Sequence, residues 1–397
     1  MSEQRKLPAA VYWFGATSLA NDFSSEMIYP LLPAFVTKTL GGGALALGIL
    51  DGVGDSVAAL FKLLAGYLAE RPRLRGPLVV LGYGMATAVR PVMAVATAAW
   101  HAVVVRAVDR VGKGLRTAPR DVMIADVTDP ALRGRAFGLH RVGDHTGAIM
   151  GPLVAALLVA GGLTLRQVFW VAVAPGAVAV VLAWAAVRAA HRAGGDASPA
   201  APGAAEPGDA PALSRRLGPL VAVLALAIAM RAPETLLILR TQDLGVAVTA
   251  IPLLWAALHV VRSAASYPGG ALADRWGPRR TMAVGWVLYG VLAVGFARAS
   301  TTSQAVALFM AYGIVTALTE SPERKLVAAL SGRAKRGRGF GWYHGTLGAA
   351  ALPGAALFGW LYQARGAVTA FEVSAAATIL AVALLPAAGG ARTGEAG

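Results

Sequence analysis

Long apolar runs separated by short, mostly basic connections dominate this chain. A helix needs about 20 apolar residues to cross a bilayer. Runs of that kind lie at about 9–36, 45–69, 78–98, 101–125, 138–160, 167–190, 217–240, 247–270, 281–299, 303–327, 340–362 and 369–387. The pattern predicts an all-α polytopic membrane protein with twelve transmembrane helices. Between His191 and Arg216 it stops: HRAGGDASPAAPGAAEPGDAPALSRR has almost nothing to bury and reads as a flexible linker. The linker divides the spans six and six. The expected organisation is an N-terminal six-helix bundle over 1–190, a cytoplasmic linker over 191–216, and a C-terminal six-helix bundle with a short tail over 217–397.

Basic residues set the expected orientation. Arg5 and Lys6 precede span 1, Arg71, Arg73 and Arg75 follow span 2, and Arg133 and Arg135 follow span 4. Arg275, Arg279 and Arg280 follow span 8, and Arg333, Lys335, Arg336 and Arg338 follow span 10. Lys and Arg accumulate in cytoplasmic loops, so both termini and the linker are expected on the cytoplasmic side of an inner or plasma membrane.

Composition agrees with the pattern. Of 397 residues, 56% are hydrophobic and 14% charged, against about 25% charged in a soluble domain. The formal net charge of +15 lies in loops between spans rather than in one patch, which argues against a nucleic-acid partner. No cysteine is present, so thiolate metal sites, thiol nucleophiles and disulfides are excluded. The start, MSEQRKLPAA, lacks a cleavable signal's short apolar core, and the first span is expected to be retained.

Against this apolar background, charge inside the spans stands out. Arg106, Arg110, Lys113 and Arg116 recur at steps of three or four in span 4, so a helix puts them on one face, with Asp109 beside them. Charges at membrane depth face a protein interior or a water-filled cavity and are functional by default. The competing reading is an ion-paired core without a ligand role. Asp22 and Glu26 in span 1 are four apart and could take up a proton or pair with span 4; Asp51 and Asp55 repeat the spacing in span 2. Arg90 lies in span 3, and Asp144 with His145 in span 5. These ten acids and bases, Asp22, Glu26, Asp51, Asp55, Arg90, Arg106, Asp109, Arg110, Lys113 and Asp144, are the candidate substrate-binding or ion-coupling residues.

The second half reads as less charged at depth, with Arg231, Glu234, Arg262, Glu320, Glu323 and Arg324 as its main entries. Ion coupling is therefore expected in the first half and apolar substrate contact, through Trp255, Trp342 and Tyr343, in the second; those aromatics could equally be packing or interfacial anchors. The histidines form no metal-binding run, and Gly112-Lys113-Gly114 lacks the rest of a phosphate loop. No metal, cofactor or catalytic residue is expected.

The two halves repeat each other. Gly66-Tyr67-Leu68-Ala69-Glu70-Arg71 aligns with Gly270-Ala271-Leu272-Ala273-Asp274-Arg275 at an offset of 270 − 66 = 204. Arg135-Ala136-Phe137-Gly138 aligns with Arg338-Gly339-Phe340-Gly341 at 338 − 135 = 203. Parallel repeats with a site between them describe an alternating-access transporter.

These motifs resemble those of the major facilitator superfamily over nearly the whole chain. The family's loop pattern is matched after span 8 by Gly270, Leu272, Ala273, Asp274, Arg275, Gly277, Arg279 and Arg280, with Pro278 inserted; after span 2, Glu70 stands for the aspartate and PRLRGP follows Arg71. The resemblance makes Gly66, Glu70, Arg71, Gly270, Asp274, Arg275 and Gly277 a conformational latch. Arg106 aligns with the span 4 arginine of drug-proton antiporters, although Asp109 and Arg110 replace Gln and Gly. Gly143, Gly147, Gly151 and Pro152 match the antiporter glycine motif or, equally, ordinary close helix packing. DRVGKGLRTAPRD is similar to an uncharacterised prokaryotic branch.

The expected function is a monomeric secondary transporter in the lipid bilayer, coupling protons to export of a small anionic or zwitterionic organic solute or drug. An uptake symporter or metal-chelate carrier of the same fold is the alternative, and an intramembrane enzyme would need a motif that the sequence lacks.

Overall fold

The structure, a computed structural model, describes residues 6–129, 132–194, 210–330 and 332–388, with side chains for all of these except 134, 210–217, 321, 324 and 328–342. Most of the predicted linker, 195–209, lies outside the described residues, as do the side chains of Trp342, Arg324 and the basic run Arg333 to Arg338. All regular structure among the described residues is helical.

In chain order the helices are α1 (Ala9–Ile28), α2 (Ala44–Ala69), α3 (Pro72–Ala94), α4 (Ala99–Asp126), α5 (Arg133–Ala160), α6 (Leu165–Val171), α7 (Val173–Arg192), α8 (Ala210–Ala229), α9 (Glu234–Asp243), α10 (Ile251–Arg275), α11 (Pro278–Arg298), α12 (Thr302–Leu330) and α13 (Gly332–Leu384). Among the described residues, nine helical segments are long and apolar enough to cross a membrane by length and composition alone. Span 1, which carries Asp22 and Glu26, and the highly charged span 4 are not among them, although each has the length. The last of the nine is a hairpin. A straight helix of 53 residues would run about 80 Å, yet the rings of Phe358 and Phe371, thirteen residues apart, meet edge to face at 5.2 Å. The chain therefore turns back between them, at Gly366, whose φ of 88° suits glycine. Counting its arms separately and adding spans 1 and 4 yields twelve.

Proline shapes two spans where simple apolarity predicts continuity. After α1, Pro30 and Pro33 remove amide donors, and the chain narrows through a tight turn at Tyr29–Leu31 before widening over Phe35–Thr39. Predicted span 7 is interrupted between α8 and α9 at Met230-Arg231-Ala232-Pro233. The groups freed there find partners: the Ala232 amide donates to the Tyr289 hydroxyl at 2.6 Å, and Ser374 Oγ donates to the Met230 carbonyl. A broken helix survives because side chains from α11 and α13 satisfy its backbone. Span 3 begins earlier than its apolar run, because Pro72 in the first turn starts a helix that includes the basic residues.

Helices α1 to α7 pack mainly among themselves, as do α8 to α13. The main contacts between the two sets are α2 on α13, α5 on α10 and α2 on α9. Glycines set the closeness. A Cβ on Gly147 would lie 2.8 Å from the Phe23 amide and one on Gly151 3.2 Å from that of Met27, so Gly143, Gly147 and Gly151 seat α5 directly on the α1 backbone. Across the sets, a Cβ on Gly52 would lie 2.8 Å from Leu352 Cα, and one on Gly359 3.0 Å from Leu45 Cα.

Candidate functional site

A cavity of about 480 Å³ lies between the two sets, within the range of small-molecule sites. Helices α1, α2 and α4 contribute Glu26, Tyr29, Asp51, Asp55 and the basic face Arg106, Arg110 and Lys113. The other wall comes from the α8–α9 break, α10 and α12: Arg231, Glu234, Trp255, His259, Arg262, Tyr312 and Glu320, with Thr316 beside them. Five acidic side chains thus face five lysine and arginine side chains. Charge is mixed, and it is contributed from both sides.

The basic groups are incompletely partnered. The Nε atoms of Arg106, Arg110, Arg231 and Arg262 and Nε2 of His259 are buried without an acceptor. An unsatisfied buried donor costs about 1–3 kcal/mol, so an acceptor entering here gains more than it would at a saturated site. Arg106 and Arg110 approach Asp109 of their own helix at 3.9 and 3.7 Å, too far for full hydrogen bonds. Aromatic faces hold the guanidinium groups in place: Arg106 lies 4.5 Å over Tyr29, Arg231 5.4 Å over Tyr289, and Arg262 5.6 Å from both Trp255 and Tyr312.

Two carboxylates bridge the sets. Asp51 of α2 accepts from the Thr235 amide at 3.1 Å and its hydroxyl at 2.7 Å, and from Tyr29 Oη at 3.2 Å. Thr235 is in the first turn of α9, so a buried anion caps a half-helix made available by the Pro233 break. Glu26 of α1 accepts from Trp255 Nε1 of α10 at 2.8 Å, with His259 Nε2 3.9 Å away. Tyr29 stacks obliquely on Trp255 at 5.1 Å. Near the same end, the Leu45 amide donates to Gln363 at 3.1 Å. The sets are thus joined at the face opposite the start of α1.

The predicted residues separate by position. Glu26, Asp51, Asp55, Arg106, Arg110 and Lys113 line the cavity; Asp22, Arg90, Asp109 and Asp144 do not. Asp22 turns toward Gly147 of α5 and accepts from Asn21 Nδ2 at 2.9 Å. Arg90 is buried in the first set and donates to Asn21 Oδ1 at 3.1 Å. Asp109 backs the arginines. Asp144 accepts from Ser18 Oγ and lies 3.4 Å from His140. Arg116 leaves the stripe, donating to the Gly82 carbonyl at 3.3 Å and lying 4.4 Å over Tyr83. A straight helical stripe spans more than one neighbour, which is why its end turns from cavity to α3.

The expectation that the second half offers mainly apolar contact is corrected by Arg231, Glu234, His259, Arg262 and Glu320 in the cavity wall. Pro233 beside Arg231 and Glu234, and the turn-by-turn series Trp255, His259, Arg262, were available signals. Tyr343 is a packing residue, donating to Glu323 at 3.0 Å.

At the terminal face, the face at which α1 begins, the duplicated loop motifs lie beside ties within each set. Asp274 of α10 pairs with Lys325 of α12. In the first set the tie runs through Arg75, which donates to the Ala69 carbonyl at 2.7 Å and to Asp126 at 2.8 Å; Glu70 and Arg71 are exposed at the helix junction. Gly277 takes φ 85° before Pro278, the turn that starts α11. Gly66 and Gly270 leave open space at their Cβ positions.

A sequence profile of the Major Facilitator Superfamily matches residues 14–258 and 220–394. An uncharacterised MFS-type transporter of Methanocaldococcus jannaschii is 29% identical over 388 residues, 96% of this chain and 95% of that protein. The multidrug resistance protein MdtH of Yersinia pestis is 29% identical over 132 residues, 33% of each chain. Among solved structures, the nucleoside transporter NupG superposes with a TM-score of 0.74 at 13% identity, covering 96% of this chain and 99% of that one. At that identity the likeness is one of fold.

Proposed function

From the premise that this chain belongs to the Major Facilitator Superfamily and is a secondary transporter in a membrane, we propose that it exports a small anionic or zwitterionic organic solute in exchange for protons. The observation carrying this reading is the cavity between the helix sets, where four guanidinium Nε donors and one imidazole nitrogen lack acceptors. An anionic group supplies those acceptors through charge-assisted bonds, and Trp255 and Tyr312 offer apolar surface to the rest of the solute. Asp55, Glu320 and Glu234, the last paired with Arg262, add acidic surface to the same cavity for a positive group on the same molecule.

Residues 1–190 and 217–397 act as the two rocking bundles, joined by the 191–216 linker, with both termini and the linker cytoplasmic in an inner or plasma membrane. The terminal face is then cytoplasmic, and the bonds of Asp51 and Glu26 close the outer side. Glu26 and Asp51 are the coupling acids: each holds an inter-bundle bond that protonation weakens, so their protonation state shifts the balance between the closed and open outer side. Export draws support from the span 4 arginine, from the α5 glycine series and from the partial similarity to a multidrug resistance protein. The unit functions as a monomer.

Purified protein in proteoliposomes, given an imposed proton gradient and a panel of labelled anionic, zwitterionic and cationic solutes, tests the reading. Gradient-driven flux of an anion or zwitterion against the proton flow is expected. Transport confined to cations, or flux indifferent to the gradient, overturns it.

A further inference from the structure

We infer that a row of protonatable side chains along the seam of α1 and α5 carries protons between Glu26 and the terminal face, on a track separate from the solute's. The inference rests on the proton-coupled reading above.

Glu26 is the cavity end of the row, bound to Trp255. Asp22 and Ser18 follow at steps of four along α1, so the three groups share one stripe. From Asp22 to Ser18 the stripe faces α5 rather than the cavity: a Cβ on Gly147 would lie 3.1 Å from Asp22 Cβ, and Asp144, one turn before Gly147, accepts from Ser18 Oγ. On its other oxygen Asp144 meets His140 Nδ1 at 3.4 Å. His140 is only 4% exposed, and its Nε2 is buried without a partner. The Asp144 side chain is 27% exposed and lies on the terminal side of Glu26, where the row opens. Ser18, Asp22, His140 and Asp144 all lie off the cavity wall.

One physical reason separates the tracks: a solute bound in the cavity blocks the direct path past Arg106, Arg110 and Lys113, whereas the seam lies off the cavity wall. The charged and titratable groups around it are Lys113, Arg116 and Arg120 of α4, Tyr83 of α3 beside Arg120, Arg90 of α3 at Asp22, and Arg110 of α4 and His259 of α10 at Glu26.

In the release direction, the carboxyl proton of Glu26 passes to the Asp22 carboxylate, leaving Glu26 ionised. Asp22 passes it to Ser18 Oγ as the Ser18 hydroxyl proton moves to Asp144, and Asp144, sharing it with His140, gives it to water. One proton enters and one leaves, and each intermediate group returns to its starting form. Loading is the reverse.

The test uses the full chain in lipid nanodiscs and time-resolved infrared spectroscopy after a light-triggered proton release. The carboxyl band that disappears in Glu26→Gln identifies Glu26. Asp144→Asn and Ser18→Ala should each slow protonation of that band by about tenfold or more, and Asp144→Glu should restore it. If Asp144→Asn does not fold, Ser18→Ala, which deletes one hydroxyl, decides alone. Unchanged rates in the folded variants overturn the row while leaving proton coupling intact. If no band is lost in Glu26→Gln, Glu26 takes up no proton and the row falls, while proton coupling through Asp51 is decided by the gradient-driven flux experiment.

Discussion

Arg110 and Lys113 show at the smallest scale how a charge buried in a membrane helix acquires a use. Neither has an acid of a neighbouring helix as a full partner among the hydrogen bonds described, and both face the cavity. Replacing either by Gln removes a charge-assisted donor without creating a void. Solute affinity should fall about 10- to 100-fold, corresponding to about 1.5–3 kcal/mol, while the melting temperature changes little. Normal affinity with early melting in both variants would make the stripe structural. Asp51 invites a different experiment, because its anion joins Tyr29 to the first turn of α9. Asp51→Asn keeps the shape and removes the charge, so the outer closure should loosen. The chain has no native cysteine, which makes Ile228→Cys, in the cavity wall, a clean reporter. Labelling by an impermeant maleimide from outside should rise in the Asp51→Asn background; an unchanged rate would remove Asp51 from the closure.

At the scale of elements, glycine spacing and proline placement do most of the positioning. The α5 glycines were open to two readings, antiporter motif or ordinary packing, and the geometry shows what they touch: the backbone of α1. Gly147→Leu should push α5 from α1 and destabilise the protein by about 1–3 kcal/mol, seen as a lower melting temperature in detergent. The same substitution at Gly84, where a Cβ meets open space, should be tolerated. Equal melting of the two variants would mean that the α1–α5 contact is not tight. The break between α8 and α9 shows the limit of apolar-run reading. Hydropathy sees one span through residues 217–240, whereas Pro233 starts a new helix there and turns its first amides toward Asp51.

Across the whole molecule, the proposed topology places the linker inside. Protease added to intact cells should leave residues 191–216 uncut, and lysed or inverted membranes should lose them; external cleavage would reverse the orientation. The helical fold and its approximate boundaries were readable in the chain because bilayer thickness demands long apolar helices, and such runs announce themselves locally. So was the Glu26–Arg106–Arg110–Lys113 portion of the cavity, since charge within a span needs a polar surrounding wherever the helix is placed. The sequence also carried the repeat and the family. What it left undecided depended on which neighbour each helix face meets. Asp22 and Glu26 share a stripe, yet one meets α5 and the other Trp255 of α10. Arg106 and Arg116 share another, yet one faces the cavity and the other Tyr83. The second set's charges, Arg231, Glu234, Arg262 and Glu320, were visible one by one in the sequence, but that they line the same space as those of the first set was decided only when the α8–α9 break, α10 and α12 were brought around it. Helical periodicity fixes the relative direction of side chains on one helix; only packing among helices decides whether that direction is protein, solute or water.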